Sequence, residues 1–313
     1  MKKISKNSAY SIMYHYVREE RANKYKDLKF LDFKKFKKQI NYFATNFDIL
    51  SLDDFSQAIK KKTKNNKPPL LLTFDDGYKD HYQYVFPFLL KKKLKGLFYP
   101  PARILEKKFL LDVNKIHFIL SEVNDKKIII KEIKRYLEIK TNLSYEKLNL
   151  KKISLNSRFD NKETILIKRL LQYYLPKKIR TSLNNHLFKK FANKDMKELS
   201  DELYLKSTHI DEMYNSGMHF GSHGFNHEWL EFLDKKEQEF EISKSYKFLK
   251  TINKKNEILS ICYPYGSHNT TTLKLLKKYK FEFGFTSKPG VINLEKKNNN
   301  LLIPRFDTND FHV

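Results

Sequence analysis

Cysteine is nearly missing from this 313-residue chain; Cys262 is the only one. A single thiol excludes a disulfide framework and a cysteine-rich zinc site. Any metal then falls to histidines and carboxylates. No run of about 18 apolar residues occurs, so no transmembrane helix is expected. The basic residues Lys2, Lys3 and Lys6 precede an apolar stretch broken by Tyr14, His15 and Arg18, which is no signal-peptide core. The expected location is the cytoplasm, extending to the inner membrane face. Acidic residues are also few, 36 against 62 Lys and Arg, leaving a net charge of +26.

What is present suits a globular protein. Apolar residues make up 40% of the chain, with 25 Phe and 19 Tyr, enough for a sizeable core. The charge has two readings. One is an anionic partner: nucleic acid, an acidic membrane face, or a phosphorylated or acidic glycan. The other is the Lys, Asn, Ile and Phe bias of an AT-rich coding sequence. The lysines are spread along the whole chain without an Arg-aromatic recognition pattern, so composition is the preferred reading and no specific nucleic-acid binding is expected.

Along the chain, Ala9–Val17 reads as a first strand with His15 near its end. Phe33, Phe36, Ile40 and Phe43 fall at helical spacing within Leu31–Phe47. Ser51, with Asp54 three positions on, opens a second helix ending in Lys60-Lys61-Lys62. Pro68-Pro69-Leu70-Leu71-Leu72 then leads a buried strand into Thr73-Phe74-Asp75-Asp76-Gly77-Tyr78. A helix over 79–93 and a strand over 94–99 follow. This alternation predicts an α/β fold with parallel strands. From about 105 to 214 helical periodicity takes over, best at 127–136, 163–174 and 179–191, and is read as an inserted helical subdomain. Thr208 opens a short helix, and strands are expected at 218–222, 258–263, 281–286 and 301–305, with helices at 235–252 and 270–279.

The unusual polar residues collect at strand ends: His15, Asp75 with Asp76, His223 with His227, Tyr265-Gly266, and Arg305 with Asp307. Sites in barrels and open α/β sheets lie at such carboxyl ends. Adjacent buried carboxylates are costly unless a cation or a shared proton compensates. The simplest arrangement places one on a metal and the other beside it as a base. His223 and His227, four apart, would lie on one side of a helical turn and share that cation. Cys262 is read as a small buried apolar residue.

Together these residues resemble the polysaccharide deacetylases, the NodB-like carbohydrate esterases of family four. Thr73-Phe74-Asp75-Asp76-Gly77 is similar to their first motif, His223–His227 to their H-x-x-x-H motif, and Tyr263-Pro264-Tyr265-Gly266 to their third. The resemblance covers residues 1–105 and 215–313, as a deacetylase barrel, with 106–214 as the insertion. It implies a distorted (β/α) barrel of seven strands and metal-dependent hydrolysis of N-acetyl or O-acetyl groups on a saccharide, glycan or sugar precursor. Asp75 would be the base. Asp76, His223 and His227 would hold a divalent ion, zinc first, with cobalt, nickel or manganese as alternatives. The Tyr265 N–H would face the oxyanion. The family's third-motif arginine is missing, and Arg305 is a candidate replacement. The general acid is unassigned among His15, His268 and His312, with His15 preferred for its strand end. Arg305, Asp307 and Trp229 are taken as substrate-binding candidates. The substrate would be an acetylated saccharide, phosphorylated or lipid-linked, with peripheral contact to an anionic membrane. Two alternatives stand: hydrolysis of another non-peptide C–N bond, as in a cyclic amide or ureide, and a non-catalytic glycan-binding protein.

Overall fold

The computed structural model describes residues 4–25, 27–61, 66–106, 109–153, 158–252 and 258–311. His312, Lys62 and Asn65 lie outside the described residues. The chain divides into two compact units, one of Met1–Ala22, Phe30–Lys107 and Glu202–Val313, the other of Asn23–Lys29 and Lys108–Asp201.

The first unit is organised on seven strands: β1 (Ser8–Tyr14), β2 (Pro69–Asp75), β3 (Leu97–Tyr99), β4 (His219–Phe220), β5 (Ser260–Cys262), β6 (Phe283–Phe285) and β7 (Phe306–Asp307). β1 pairs in parallel with β2, β2 with β3 and β3 with β4. A parallel bridge from Ser222 to Ile261 continues the sheet to β5, which pairs with β6. A second bridge, Phe285 to Ile303, leads to β7, and β7 pairs with β1. The circuit is a closed parallel barrel of seven staves, as the family resemblance implies. Asp48–Ile49 adds to the start of β2, and Ile292–Asn293 pairs antiparallel with the start of β1.

The strands run buried because helices cover their outer face. All seven residues of β1 and all seven of β2 are buried, the continuous apolar pattern of a parallel strand covered on both sides. Helix Phe33–Asn46 is capped by Asp32, whose carboxylate accepts from Lys34 N at 2.8 Å, and it buries Phe36, Gln39, Ile40 and Phe43. That spacing is one stripe of a 3.6-residue period. The predicted Ser51 cap is made, with Asp54 N donating to Ser51 Oγ at 3.1 Å. Helix Thr270–Lys278 starts on Asn269, which accepts from Thr272 N at 3.0 Å. The helix predicted over 79–93 is a wider π turn, His81–Val85, continuing into Phe86–Lys91.

The second unit is helical: Asp112–Glu122, Lys126–Lys140, Lys162–Arg169 and Lys177–Leu187 bury Ile119, Ile133, Leu137, Ile167 and Leu183. Asp112–Glu122 was not read from the sequence. The helix Ser207–Asn215, assigned to the insertion by its position in the sequence, groups with the first unit. Its Ile210 and Met213 pack into the barrel's apolar cluster with Phe86 and Leu89. Its start is also one turn residue earlier than the Thr208 pattern suggests, with His209 Nδ1 accepting from Lys206 N at 3.2 Å.

Candidate metal centre and base

Asp75 is the last residue of β2, and the chain turns immediately after it. Asp76 and Gly77 take φ of 69° and 65°, a left-handed pair that ends strand alternation. Both carboxylates thus reach the same buried rim; Asp75 is 1% and Asp76 2% exposed. Gly77 is required twice over: besides its φ, a Cβ there would lie 2.5 Å from Ile104 Cδ1 and 2.7 Å from Pro100 Cβ.

The two oxygens of Asp76 have different neighbours. Oδ2 accepts from Tyr78 OH at 2.7 Å, and Tyr78 in turn stacks on Tyr16 at 3.8 Å. Oδ1 lies 3.3 Å from His223 Nε2 and 3.2 Å from His227 Nε2, yet no donor among the described residues is aligned to bond it. Three donors at these separations match the edge of a tetrahedron with metal–ligand bonds of about 2.0–2.2 Å. The residues therefore fit a divalent ion. His223 Nδ1 sits 2.8 Å from Cys262 O, so the N–H belongs on Nδ1 and the Nε2 lone pair faces Asp76. Burial pushes the Asp76 carboxyl up, but His223 and His227 outweigh it and hold the group well below its ordinary range. Burial also opposes charge on both imidazoles; it prevails at His227, whereas His223, between Cys262 and Asp76, is raised.

The H-x-x-x-H segment is not the helical turn its spacing suggested. It is an irregular loop in which Gly224 has φ 70° and His227 φ 62°. Glu241, 1% exposed on helix Lys235–Ile252, holds this loop by accepting from Phe225 N at 2.9 Å and Asn226 N at 2.8 Å. On its other side Ala102 N and Arg103 N donate to Gly224 O and Phe225 O, both at 3.1 Å. Glu241 was missed in the sequence. The available signal was an acidic residue on the apolar stripe of a helix, beside Gln238, Ile242 and Ser245.

Asp75 belongs to a different pair. Arg305 grips it with both terminal nitrogens, at 2.8 Å to Oδ1 and 2.7 Å to Oδ2. Burial raises the Asp75 pKa, and the guanidinium overcomes this to bring it down to about 2. Arg305 also donates from Nε to Thr286 O at 3.0 Å and from Nη1 to Thr73 Oγ1 at 2.9 Å. It is 1% exposed. Arg305 is therefore no substrate contact, contrary to the expectation from sequence; its donors are spent inside the barrel on Asp75, Thr73 and Thr286. Asp307 is corrected likewise, because its carboxylate caps the turn Thr308–Asp310, accepting from Asn309 N at 2.8 Å.

Cys262 is buried as expected but is not apolar filling. Its Sγ lies 3.4 Å from Asp75 Oδ2 and 2.8 Å from Arg305 Nη2. Asp75, His223 and Cys262 make a second group with converging donor atoms. The guanidinium already inside it opposes a cation there, which leaves Asp76, His223 and His227 as the fitting set.

His15 follows β1, half-exposed, with Nε2 3.9 Å from Asp75 Oδ2. Its carbonyl is held by buried His81 Nε2 at 2.8 Å. Burial lowers the His81 pKa to about 4, so His81 is a neutral core residue. His268 turns back onto Gly266 O at 2.9 Å. Tyr265 has φ 59° inside the turn closed by Gly266 N to Tyr263 O at 2.8 Å. Its ring meets the His227 edge at 4.7 Å and stacks on Trp229 at 4.7 Å and 12°. Asp76, His227 and Tyr265 are three of the six described non-glycine residues with positive φ. Such conformations cost about 1–3 kcal/mol each and persist where a site requires them.

The polysaccharide deacetylase family model matches residues 185–284. That span, about a third of the chain, is similar to polysaccharide deacetylases. The matched span contains His223, His227 and Tyr265, and the barrel brings Asp75 and Asp76 to them from outside it. Solved structures resemble the whole chain. A Streptococcus pyogenes deacetylase, PplD in complex with acetate, is 18% identical with a TM-score of 0.59, covering 97% of this chain and 93% of its own. IcaB from Ammonifex degensii is 14% identical, TM-score 0.55, with coverage of 95% and 90%. A de-N-acetylase from Aggregatibacter actinomycetemcomitans is 14% identical, TM-score 0.57, with coverage of 96% and 95%. At these identities the likeness is one of fold. No curated protein matches the chain. The similarity to deacetylases indicates a hydrolase of non-peptide carbon–nitrogen bonds. No helix among the described residues is long and apolar enough to cross a membrane.

Proposed function

We propose that the protein is a metal-dependent deacetylase removing N-acetyl, or O-acetyl, groups from a saccharide. The carrying observation is the pairing of two buried carboxylates with different partners: Asp76 with His223 and His227, Asp75 with Arg305. Asp76, His223 and His227 would hold a divalent ion, zinc by donor type, with cobalt, nickel or manganese as alternatives. Bound there, the ion supplies a Lewis acid for the acetyl carbonyl and lowers the pKa of a water.

The protein's own groups do the rest. Asp75, kept ionised by Arg305, takes the proton of the attacking water. His15, 3.9 Å from Asp75 and open to solvent, gives a proton to the departing nitrogen. The Tyr265 N–H donates to the oxyanion, a contribution of roughly 2.7–4 kcal/mol in comparable sites. Trp229, stacked behind Tyr265, forms a wall for a sugar ring. The net charge of +26 supports a negatively charged acceptor, such as a phosphorylated or lipid-linked saccharide at an anionic membrane surface.

The test is acetate release from N-acetylglucosamine oligomers by zinc-loaded protein. Asp75→Asn is expected to lose activity while retaining zinc by elemental analysis. Full turnover by that variant would remove Asp75 as the base. Turnover of cyclic amides with none of acetylated sugars would replace the substrate class.

A further inference from the structure

The chain's one cysteine touches both halves of the site through different atoms. Its thiol lies against Asp75 Oδ2 at 3.4 Å and against the Arg305 guanidinium, and its carbonyl takes the His223 Nδ1–H at 2.8 Å. We propose that Cys262 is a positioning residue that fixes Asp75 and His223 relative to each other. This rests on the deacetylase reading of the site for its kinetic consequence, but the contact itself does not.

The chemistry of the thiol suits that place. Cys262 is fully buried and beside a carboxylate, an environment in which the neutral S–H is favoured over a second anion. A neutral thiol donates to Asp75 Oδ2, while its sulfur lone pairs receive the Arg305 N–H. Donor and acceptor functions are both used, which keeps the carboxylate in the plane that Arg305 grips. Alanine at 262 keeps the carbonyl to His223 and loses the bond to Asp75. Serine keeps a donor on a shorter arm.

Two measurements test this. In the infrared spectrum a single cysteine gives a single S–H band. It is expected at hydrogen-bonded frequency in the wild-type protein and at higher, free-thiol frequency in Asp75→Ala. A free-thiol band in the wild type overturns the proposal, whether or not a substrate is ever found. Kinetically, Cys262→Ala is expected to lower kcat about tenfold, the scale of one hydrogen bond, with KM and zinc affinity unchanged. Cys262→Ser is expected to recover most of the loss. Equal kcat in the alanine variant and wild type, or a loss that serine does not relieve, overturns it. A wild type that shows the bonded S–H band but releases no acetate would sink the deacetylase reading alone.

Discussion

Replacing Arg305 by methionine leaves the Asp75 carboxylate buried without its partner. In the native protein burial pushes that pKa up and Arg305 pulls it down, from an ordinary 3.8 to about 2. The difference, 3.8 − 2, corresponds to roughly 2 kcal/mol. Because the folded value is the lower one, this stability is present above pH 4 and is lost as pH falls through about 2. In Arg305→Met burial is opposed only by His223, His15 and the Cys262 thiol, so the Asp75 pKa rises and the stability that its ionisation supplies shrinks. Breaking a buried pair from one side costs about 3–5 kcal/mol, to be read by urea unfolding at neutral pH. Activity should fall by about 10²–10⁴, the contribution of a general base. It should recover in part as pH rises, because the ionised fraction of Asp75 then grows. Arg305→Met/Asp75→Leu should regain most of the stability and none of the activity. An Arg305→Met protein as stable as wild type, with kcat within about threefold, would refute the pairing argument.

Two other perturbations separate the remaining roles. Tyr78→Phe removes the hydroxyl on Asp76 Oδ2 and should weaken zinc binding 10–100-fold in a chelator competition; unchanged affinity would mean that the bond does not orient Asp76. His15→Gln should lower kcat on an acetamide by about 10²–10⁴ but much less on an aryl acetate, whose leaving group needs no proton; an equal loss on both would reject His15 as the acid.

The strand-end motifs and the candidate metal set were legible because they are local. Thr73–Gly77 and His223–His227 each carry their residues within five positions, and strand ends mark where such residues serve. What escaped was contact across the barrel. Arg305 and Asp75 are 230 positions apart, and their pairing depends on β7 closing onto β1. The sequence showed an arginine at a strand end, but not whether it faced substrate or the interior. Cys262 was misjudged for the same reason, since burial was legible and its neighbours were not. The helical reading of His223–His227 failed because Glu241 supplies the loop with the acceptor that a helix would have provided from its own backbone. Tyr78, which donates to Asp76 Oδ2, was also not read from the sequence, although it follows the acidic pair directly.

The barrel's closure has a mechanical consequence. The seams on either side of the β5–β6 pair are single bridges, at Ser222–Ile261 and Phe285–Ile303. Across the first runs the bond from His223 to Cys262 O, and across the second the bond from Arg305 to Thr286 O. The polar rim is thus also a clasp on the two thinnest joints of the wall. Amide exchange in β5 and β6 should slow when zinc is added and quicken when Arg305 is lost. Substitutions chosen to retune the chemistry at 262 or 305 would change how firmly the barrel stays shut.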